Sequence, residues 1–517
     1  MTHIGSPGVS QPEAAPTPEL SQHYDVVVVG AGNAAMCAAL AAHEAGASVL
    51  VLERAPEAEA GGNSRFTAGA IRFAYDGVDD LRALMPDLTD AEVEMTDFGT
   101  YTEDEFYADL GRITDYRCDP ELADTLVTRS NETVAWMASH GVRFAPIWGR
   151  QAFKVDGRFK FWGGLTVESV GGGEGLVESL RTALDRNGID LWHEAAGRSL
   201  VLDESGAVRG VRIRRQGRMV EAACSAVVLA SGGFQANAEW RTRYLGPGWD
   251  LAKVRGTRFN TGDGIAMAFD AGAMPYGNWS GAHAVAWDYN APEFGDLAVG
   301  DGFQKHSYPF GIVLNRNGKR FVDEGADFRN YTYARYGREI LAQPGHSAWQ
   351  VFDASTDHLL RDEYRIRQVT RVTAGSIAEL CGRMEDVDTE AAMATIAEFN
   401  AAVDRSVAFD PNVLDGRRTS GLSPDKTNWA MPLETPPFTA FRVTCGLTFT
   451  FGGLRIDDTG CVLDTDLRPI SGLYAAGELV GGLFYGNYPG GSGLSAGAVF
   501  GRQAGTSAAL HALRLST

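Results

Sequence analysis

The apolar and polar positions divide residues 24–54 into three parts. "YDVVVVG" is a short β-branched run, typical of a strand covered on both faces. "AGNAAMCAALAAHEAG" is rich in alanine, which predicts a helix, and it ends at Gly46, a residue that suits a helix C-cap. "ASVLVLE" predicts a second strand, closed by Glu53. Glycines and charges interrupt the stretch, whereas a membrane helix needs about twenty unbroken apolar residues. The pattern therefore predicts a β–α–β unit.

The first turn of this unit carries the pattern G-x-G-x-x-A at Gly30, Gly32 and Ala35. Gly30 permits the tight turn, Gly32 admits a pyrophosphate close to the main chain, and Ala35 allows close packing of helix on strand. The helix N-terminus adds partial positive charge. Glu53 follows Gly32 by 21 positions, about where a ribose-binding carboxylate belongs. The unit therefore predicts a dinucleotide site, and the motif alone leaves FAD and NAD(P) open.

Four later segments carry a family resemblance. They are "AGGNSRFTAGAIRF" at 60–73, "SAVVLASGGFQANAEW" at 225–240, "NTGDGIAMAFDAGA" at 260–273 and "ISGLYAAGELVGGLFYGNYPGGSGLSAGAVFGRQAG" at 470–505. In this order they resemble the flavoprotein family of fumarate reductase, succinate dehydrogenase, 3-ketosteroid Δ1-dehydrogenase and tricarballylate dehydrogenase. The pieces "GGNSR", "GLTFTFGG" and "NYPGGSGLSAGAVFGR" look most like tricarballylate dehydrogenase, and "YPGGSG" also resembles the ketosteroid dehydrogenase loop. The resemblance implies FAD as the cofactor.

The resemblance also implies which residues hold FAD beyond the first turn. Ser64 is expected close to the flavin ring, Glu478 at the ribityl chain, and the main-chain amides near Leu494 at the N1/O2 edge. Succinate dehydrogenase has a His-Thr pair at its covalent link, and this chain reads Phe66-Thr67, so FAD is expected to be non-covalent. The full predicted set is Gly62, Asn63, Ser64, Gly232, Gly233, Asp263, Gly477, Glu478, Gly493 and Leu494, together with the four residues of the β–α–β unit.

The predicted fold class is α/β, with a discontinuous Rossmann-like FAD-binding domain and an inserted α+β substrate-capping domain. The FAD-binding domain is expected at 23–276 and 446–517, and the capping domain at 277–445. Residues 1–22 are rich in Pro, Ala, Ser and Glu and lack an apolar core segment, which predicts a disordered tail. "GIVLNRNGKRFVDEG" at 311–325 resembles a hairpin of the family's capping domain.

The family's chemistry is oxidation of a CH–CH bond next to a carbonyl or carboxylate, or the reverse reaction. A proton leaves the α-carbon while hydride passes from the β-carbon to flavin N5. Three residues typical of fumarate reductases are replaced, near Ser307, in "TFTFGG" at 448–453 and around Tyr488, which disfavours a plain fumarate reductase. Tyr308 and His306 are the predicted proton-transfer candidates. Tyr488 is predicted to hold a carbonyl or carboxylate oxygen.

Arginines and lysines are expected to hold an anionic substrate, because the Arg fork binds carboxylates in a bidentate way. The predicted substrate-binding residues are Arg72, Arg150, Thr448 and Gly491. Further basic candidates for this site are Lys154, Arg158, Lys160, Arg329 and Arg335.

Three functions remain open at this point. The first is dehydrogenation of a small carboxylated substrate, with tricarballylate to cis-aconitate as the model. The second is a ketosteroid-type Δ1-dehydrogenase or ene-reductase, which needs an apolar cleft and is favoured if the basic candidates are exposed. The third is a flavoprotein subunit that relays electrons to a protein partner.

Composition limits the classes of partner that the protein is expected to bind. A net charge of −20, from 46 Lys+Arg and 66 Asp+Glu, disfavours nucleic acid and anionic membranes. The six cysteines are scattered without CxxC or metal-type spacing, so no metal is predicted. Haem and Fe–S motifs are missing from the sequence, which predicts a separate electron acceptor: a quinone, a dye-like carrier or a redox protein. A cytoplasmic location without membrane insertion is expected.

Overall fold

The structure is a computed structural model that describes residues 23–161 and 164–515. The predicted disordered tail at 1–22 lies outside these residues. The strands described are β1 (Tyr24–Val29), β2 (Val49–Leu52), β3 (Ala70–Ile71), β4 (Thr96–Asp97), β5 (Phe144–Pro146), β6 (Ala152–Val155), β7 (Arg158–Phe161), β8 (Val167–Ser169), β9 (Asp190–Trp192), β10 (Ala195–Leu202), β11 (Val208–Arg215), β12 (Arg218–Leu229), β13 (Lys253–Val254), β14 (Pro275–Asp288), β15 (Ile312–Asn315), β16 (Ser347–Phe352), β17 (Arg371–Ala374), β18 (Phe438–Leu454), β19 (Cys461–Leu463) and β20 (Pro469–Ala475).

The helices described are α1 (Asn33–Glu44), α2 (Val78–Leu84), α3 (Asp90–Glu94), α4 (Glu103–Ile113), α5 (Pro120–Ser139), α6 (Trp148–Gln151), α7 (Gly172–Arg186), α8 (Ala238–Trp240), α9 (Asp263–Asp270), α10 (Arg329–Leu341), α11 (Ile377–Arg383), α12 (Thr389–Ala402) and α13 (Ser492–Leu515). In the described part of the chain, each helix is too short or too polar to cross a lipid bilayer.

The central sheet is built on the β–α–β unit predicted from the sequence. Strand β1 lies between β2 and β12, and all three are parallel. Val27 of β1 pairs with Leu50 and Val227, so the β-branched run is buried on both sides. Strand β9 extends the parallel sheet beyond β2 and β20 extends it beyond β12, while β10 and β11 are antiparallel. The predicted α/β fold class is confirmed.

The C-terminal helix α13 packs directly on α1. A Cβ atom at Gly501 would lie 2.4 Å from the carbonyl oxygen of Ala34, and one at Gly505 would lie 2.0 Å from that of Ala38. Because glycine repeats every four residues on this face, the two helix backbones touch without side chains between them. This contact brings the start of α13 to the first turn of the β–α–β unit.

A second sheet covers one side of the cofactor region. Its long strands β14 and β18 are antiparallel, and β18 also pairs with β13, β16 and β17. The turn predicted within 311–325 forms, since one bridge joins Leu314 to Arg320, but β15 pairs along its length with β16. The predicted domain boundaries at 276/277 and 445/446 fall within β14 and β18, and the division into two domains stays a prediction.

Candidate functional site

Two adjoining cavities form one long channel between the sheets. The first, called the outer cavity, surrounds the turn after β1. The second, called the inner cavity, leads from α1 to the start of α13. Six residues line both cavities, which therefore adjoin and are together called the channel: Asn33, Ala34, Asn63, Ser64, Gly477 and Glu478.

The turn after β1 is shaped to meet a ligand with its main chain. Gly30 has φ +115°, and a Cβ there would lie 2.4 Å from the carbonyl oxygen of Ala230. Gly32 lines the channel directly before α1. Ala35 is buried within α1, as its predicted packing role requires. The N-terminus of α1 therefore opens into the channel beside a turn whose glycines carry no side chains.

Two acidic residues line the same end of the channel. Glu53 is buried at the end of β2 and accepts a hydrogen bond from the main-chain N–H of Ala55 at 2.8 Å. Burial raises its pKa. Asp263 is held by Arg54 and by Arg198, the latter at 3.3 Å. Glu53 thus offers a carboxylate where the sequence predicts a ribose contact.

The middle of the channel holds Asn63 and Glu478. The side-chain amide of Asn63 donates to the carbonyl of Thr448 at 2.5 Å. Glu478 accepts from the main-chain N–H of Thr450 at 2.9 Å. Burial raises the pKa of Glu478 to about 7. Gly232 lines the channel, whereas Gly233 packs against Glu478, since a Cβ there would lie 2.3 Å from its carboxylate oxygen.

These residues fit FAD. Ser64 accepts from the main-chain N–H of Asn33 at 3.1 Å, which places it at the start of α1 beside the channel. Gly62 lines the outer cavity, and Gly493 and Leu494 line the inner one at the first turn of α13. The first N–H groups of a helix have no partner within it, so this turn can donate to a ligand. The glycine turn after β1, the buried Glu478 and the N-terminus of α13 lie one after another along the channel.

The inner end of the channel carries a cluster of three arginines, formed by Arg150, Arg255 and Arg329. Asp301 accepts from Arg150 at 2.7 Å and from Nε of Arg255 at 2.9 Å. The side-chain amide of Gln304 donates to the same carboxylate at 2.5 Å. The guanidinium group of Arg329 donates to the main-chain carbonyl of Arg150. Two of the three guanidinium groups pair with the one carboxylate of Asp301 and the third lies beside them, so the arginine cluster favours an anionic ligand.

Two buried histidines flank one tyrosine at this end. The ring of Tyr333 lies 5.0 Å from that of His283 and 4.8 Å from that of His306, edge to face in both cases. Within the part of the chain that the structure describes, neither nitrogen of His283 has a hydrogen-bond partner. Burial lowers the pKa of both imidazoles well below the usual range, and nearby arginines lower it further. Both histidines are therefore neutral at neutral pH.

Tyr488 lies beside this group. Its hydroxyl is 2.5 Å from that of Tyr333, and its ring packs 4.7 Å from His283. Burial raises the pKa of Tyr488, so it stays protonated. Gly491 and Thr448, two of the predicted substrate residues, also line the inner cavity.

Two predicted site residues lie away from the channel. Tyr308 is buried against Tyr336, and its hydroxyl bonds to Thr332 at 2.7 Å. Burial raises its pKa, and it is not among the lining residues described, so the structure does not support it as a proton-transfer group. Arg72 is fully buried and donates to the carbonyl of Gly490 at 2.8 Å. It holds the loop after Tyr488 and does not line the channel, which corrects its predicted substrate role.

The other basic candidates separate into two groups. Arg150 and Arg329 line the inner cavity. The remaining candidates are exposed: Lys154, Arg158, Lys160 and Arg335.

Sequence reasoning missed four residues that the fold brings together: Arg255, His283, Asp301 and Tyr333. They come from four separate segments, and none belongs to a recognisable motif. His283 stands alone in the alternating stretch "GAHAVAW", where a lone histidine most often packs in a core. A weak signal did exist in "YTYARYG", because three tyrosines on one helix, spaced two and three positions apart, are unusual for a purely apolar core.

Comparison with known proteins identifies the family. The family model described as "FAD binding domain" matches residues 25–494. The fumarate reductase (cytochrome) of Shewanella frigidimarina is 30% identical over 495 residues, covering 94% of this chain and 77% of that protein. The NADH:fumarate oxidoreductase of Klebsiella pneumoniae (strain 342) is 28% identical and covers 95% of this chain, which spans 48% of that protein's length.

A solved structure shows the same fold. It is the 3-ketosteroid Δ1-dehydrogenase from Sterolibacterium denitrificans in complex with 1,4-androstadiene-3,17-dione, with a TM-score of 0.72 and 23% sequence identity. The match covers 94% of this chain and 99% of that one. At this identity the likeness concerns the fold alone. The chain therefore belongs to the FAD-binding family of flavoproteins that includes the fumarate reductases, and its cofactor is FAD.

Proposed function

We propose that the chain is an FAD-dependent oxidoreductase acting on a CH–CH bond next to a carboxylate, with tricarballylate to cis-aconitate as the model reaction. The arginine cluster beside two neutral imidazoles carries the proposal. A tricarboxylate brings about three negative charges, and Arg binds carboxylates with paired N–H groups. Asp301 and Glu363 offset part of the cluster's positive charge and Arg361 adds to it, so the site keeps an excess of positive charge that suits such an anion.

FAD, when bound, supplies the two-electron acceptor for hydride from the β-carbon. The chain's own residues prepare the substrate for that loss. Arg150, Arg255 and Arg329 hold carboxylates and stabilise the negative charge that develops when the α-proton leaves. Phe449 packs 5.2 Å from Tyr488 and 5.9 Å from Phe484, so an aromatic wall limits water at this end.

Proton removal is assigned to His283. Its imidazole is neutral, and both nitrogens are free of protein partners among the described residues. A bound anionic substrate places negative charge beside the ring and increases its affinity for a proton. Tyr488 keeps its own proton and donates a hydrogen bond to the activating oxygen. Tyr333 supports that hydroxyl from the other side.

FAD is proposed to be held non-covalently. Phe66 is buried with its ring against Gly295, and no histidine or cysteine precedes Thr67 at the position of the succinate dehydrogenase link. A separate acceptor is proposed to reoxidise the cofactor.

A ketone-activated desaturase is the second candidate. Four of the basic candidates are exposed, and the Tyr488 hydroxyl with the "YPGGSG" loop suits a carbonyl oxygen. The buried arginine cluster favours the carboxylate substrate over this alternative.

Anaerobic titration of the purified holoenzyme distinguishes the candidates. Tricarballylate, succinate and a 3-ketosteroid are added separately while the flavin absorbance band is recorded. Bleaching by tricarballylate supports the proposal. Bleaching by the steroid alone supports the ketone-activated desaturase instead. If none of the three compounds bleaches the flavin and an unsaturated acid reoxidises the reduced enzyme, the enzyme is a reductase.

A further inference from the structure

His306 presents its two ring nitrogens to different surroundings. A guanidinium nitrogen of Arg329 lies 3.3 Å from Nδ1. Guanidinium nitrogens only donate hydrogen bonds, so Nδ1 must be the acceptor. The contact therefore determines which nitrogen of the ring carries a proton.

A neutral imidazole has one N–H group, and with Nδ1 as acceptor that proton belongs on Nε2. Nε2 of His306 is buried and has no hydrogen-bond partner among residues 23–161 and 164–515. His306 lines the inner cavity, with the ring of Tyr333 at 4.8 Å. A buried N–H group without a protein partner thus belongs to a residue that lines the inner cavity, which is a costly arrangement unless a ligand accepts from it.

The charges around His306 keep the ring neutral. Burial lowers its pKa, and Arg329, Arg255, His283 and Arg150 lower it further. A second proton on Nδ1 would also meet the N–H of Arg329 head on. The ring therefore cannot take up a proton while this contact holds.

The main chain around His306 is fixed by buried donors. The ammonium group of Lys305 donates to the carbonyls of residues 302–304 at 3.1–3.3 Å. Lys426 donates to the carbonyl of Gly311 at 2.7 Å. Arg329 is held in turn, because it also donates to the carbonyl of Arg150. The main chain next to His306 and the side chain of Arg329 are thus both held in place.

We propose that His306 is a tautomer-locked hydrogen-bond donor, which binds a substrate oxygen through Nε2–H and does not transfer the proton. Arg329 is the positioning residue that holds this tautomer. The two histidines then have different roles. His306 donates a hydrogen bond, whereas His283 has no hydrogen bond from an arginine N–H group within the described residues and remains able to accept a proton. The identity of the accepting oxygen as a carboxylate rests on the proposed function, whereas the tautomer does not.

Nitrogen NMR of the holoenzyme with ¹⁵N-labelled histidine tests the tautomer without turnover. The ring signals of His306 are assigned by their loss in His306→Gln. We expect a protonated Nε2 and an unprotonated Nδ1 throughout the pH range in which free histidine titrates. A proton on Nδ1, or on both nitrogens, overturns the proposal.

Arginine variants test whether Arg329 holds the tautomer of His306. In Arg329→Met the His306 signals should shift towards a mixture of tautomers. Arg335→Met removes an exposed charge from the same helix and should leave them unchanged. Unchanged signals in Arg329→Met would show that Arg329 does not hold the tautomer.

Kinetics separate binding from proton transfer. Gln keeps an N–H donor near the position of Nε2, and Leu keeps none. We expect His306→Gln to retain kcat within about tenfold and His306→Leu to raise KM by on the order of tenfold or more. A fall in kcat of about 10²–10⁴-fold in His306→Gln would show general acid–base catalysis instead and overturn the proposal. If tricarballylate is not turned over, its dissociation constant from flavin absorbance changes replaces KM.

Discussion

The hydroxyl groups of Tyr333 and Tyr488 lie 2.5 Å apart at the inner end of the FAD channel. One residue comes from α10 and the other from the loop before α13, so the bond joins two elements across the cavity. The ring of Tyr333 also contacts both buried histidines. This pair thus links Tyr488, the proposed ligand of the activating oxygen, to His283, the proposed base, and to His306, the proposed hydrogen-bond donor.

Removing either hydroxyl should have overlapping effects. Tyr333→Phe and Tyr488→Phe each remove the shared bond, and we expect each to lower kcat/KM for tricarballylate by about tenfold. Because both substitutions remove the same bond, the double variant should lose less kcat/KM than the product of the two single losses. A double-mutant cycle measures this coupling. Strictly additive effects would show that the two hydroxyls act separately.

His283→Gln should mainly lower kcat. Gln cannot accept a proton as imidazole does, so we expect a loss of about 10²–10⁴-fold in kcat with a smaller change in KM. His358→Gln changes an exposed histidine and serves as the control. An unchanged kcat in His283→Gln would remove this residue from proton transfer.

Arg255→Met should weaken substrate binding. The side chain of Arg255 is 8% exposed and lies in the arginine cluster, so we expect KM for tricarballylate to rise tenfold or more, on the order of one charged hydrogen bond. Arg258 is 55% exposed and pairs with Glu59 at 2.8 Å, and Arg258→Met should leave KM unchanged. Steady-state kinetics at constant ionic strength compares the two, and equal effects would point to long-range charge alone.

Glu478 should make the stability of the cofactor-free protein fall with rising pH. Its pKa moves from 4.5 to about 7 on folding, because burial penalises the charged form. Between these values the folded chain binds more protons than the unfolded chain, so the free energy of unfolding decreases as pH rises. Glu478→Gln stays neutral, and its stability relative to wild type should increase through this window.

Urea denaturation at several pH values measures the slope of that difference. Glu398→Gln changes an exposed acid and should show no such slope. A flat difference for Glu478→Gln would mean that its carboxyl is not desolvated in the folded chain.

Gly505→Ala should destabilise the contact between α1 and α13. The added Cβ would lie 2.0 Å from the carbonyl oxygen of Ala38, so the helices must separate. We expect the free energy of unfolding to fall by about 1–3 kcal/mol and FAD affinity to fall with it. Gly382 lies in α11 with open space around it, and Gly382→Ala should stabilise by about 0.5–1 kcal/mol. Denaturation and cofactor titration test both, and the same sign for both variants would contradict the packing argument.

Local patterns in the sequence predicted a dinucleotide site, and the family resemblance predicted that the dinucleotide is FAD. The turn at Gly30 and Gly32, the acid Glu53 and the segment around Ser64 are read from residues close in the chain, because a dinucleotide is held mainly by main-chain groups at strand and helix ends. Their positions along the channel agree with that expectation. Tyr488, which the resemblance implied as a ligand of a substrate oxygen, lines the inner cavity, and that role stays a prediction.

The substrate half depended on tertiary structure. Arg255, His283, Asp301 and Tyr333 lie far apart in sequence, and their roles come from burial, shared hydrogen bonds and mutual charge, which no local pattern encodes. The predicted roles of Tyr308 and Arg72 find no support for the same reason. Tyr308 packs in the core, and Arg72 donates to the loop that contains Gly490. The sequence alone thus determined the α/β fold and the cofactor, whereas the folded chain decided which side chains line the proposed substrate site, because chemistry at a buried site depends on neighbours in space.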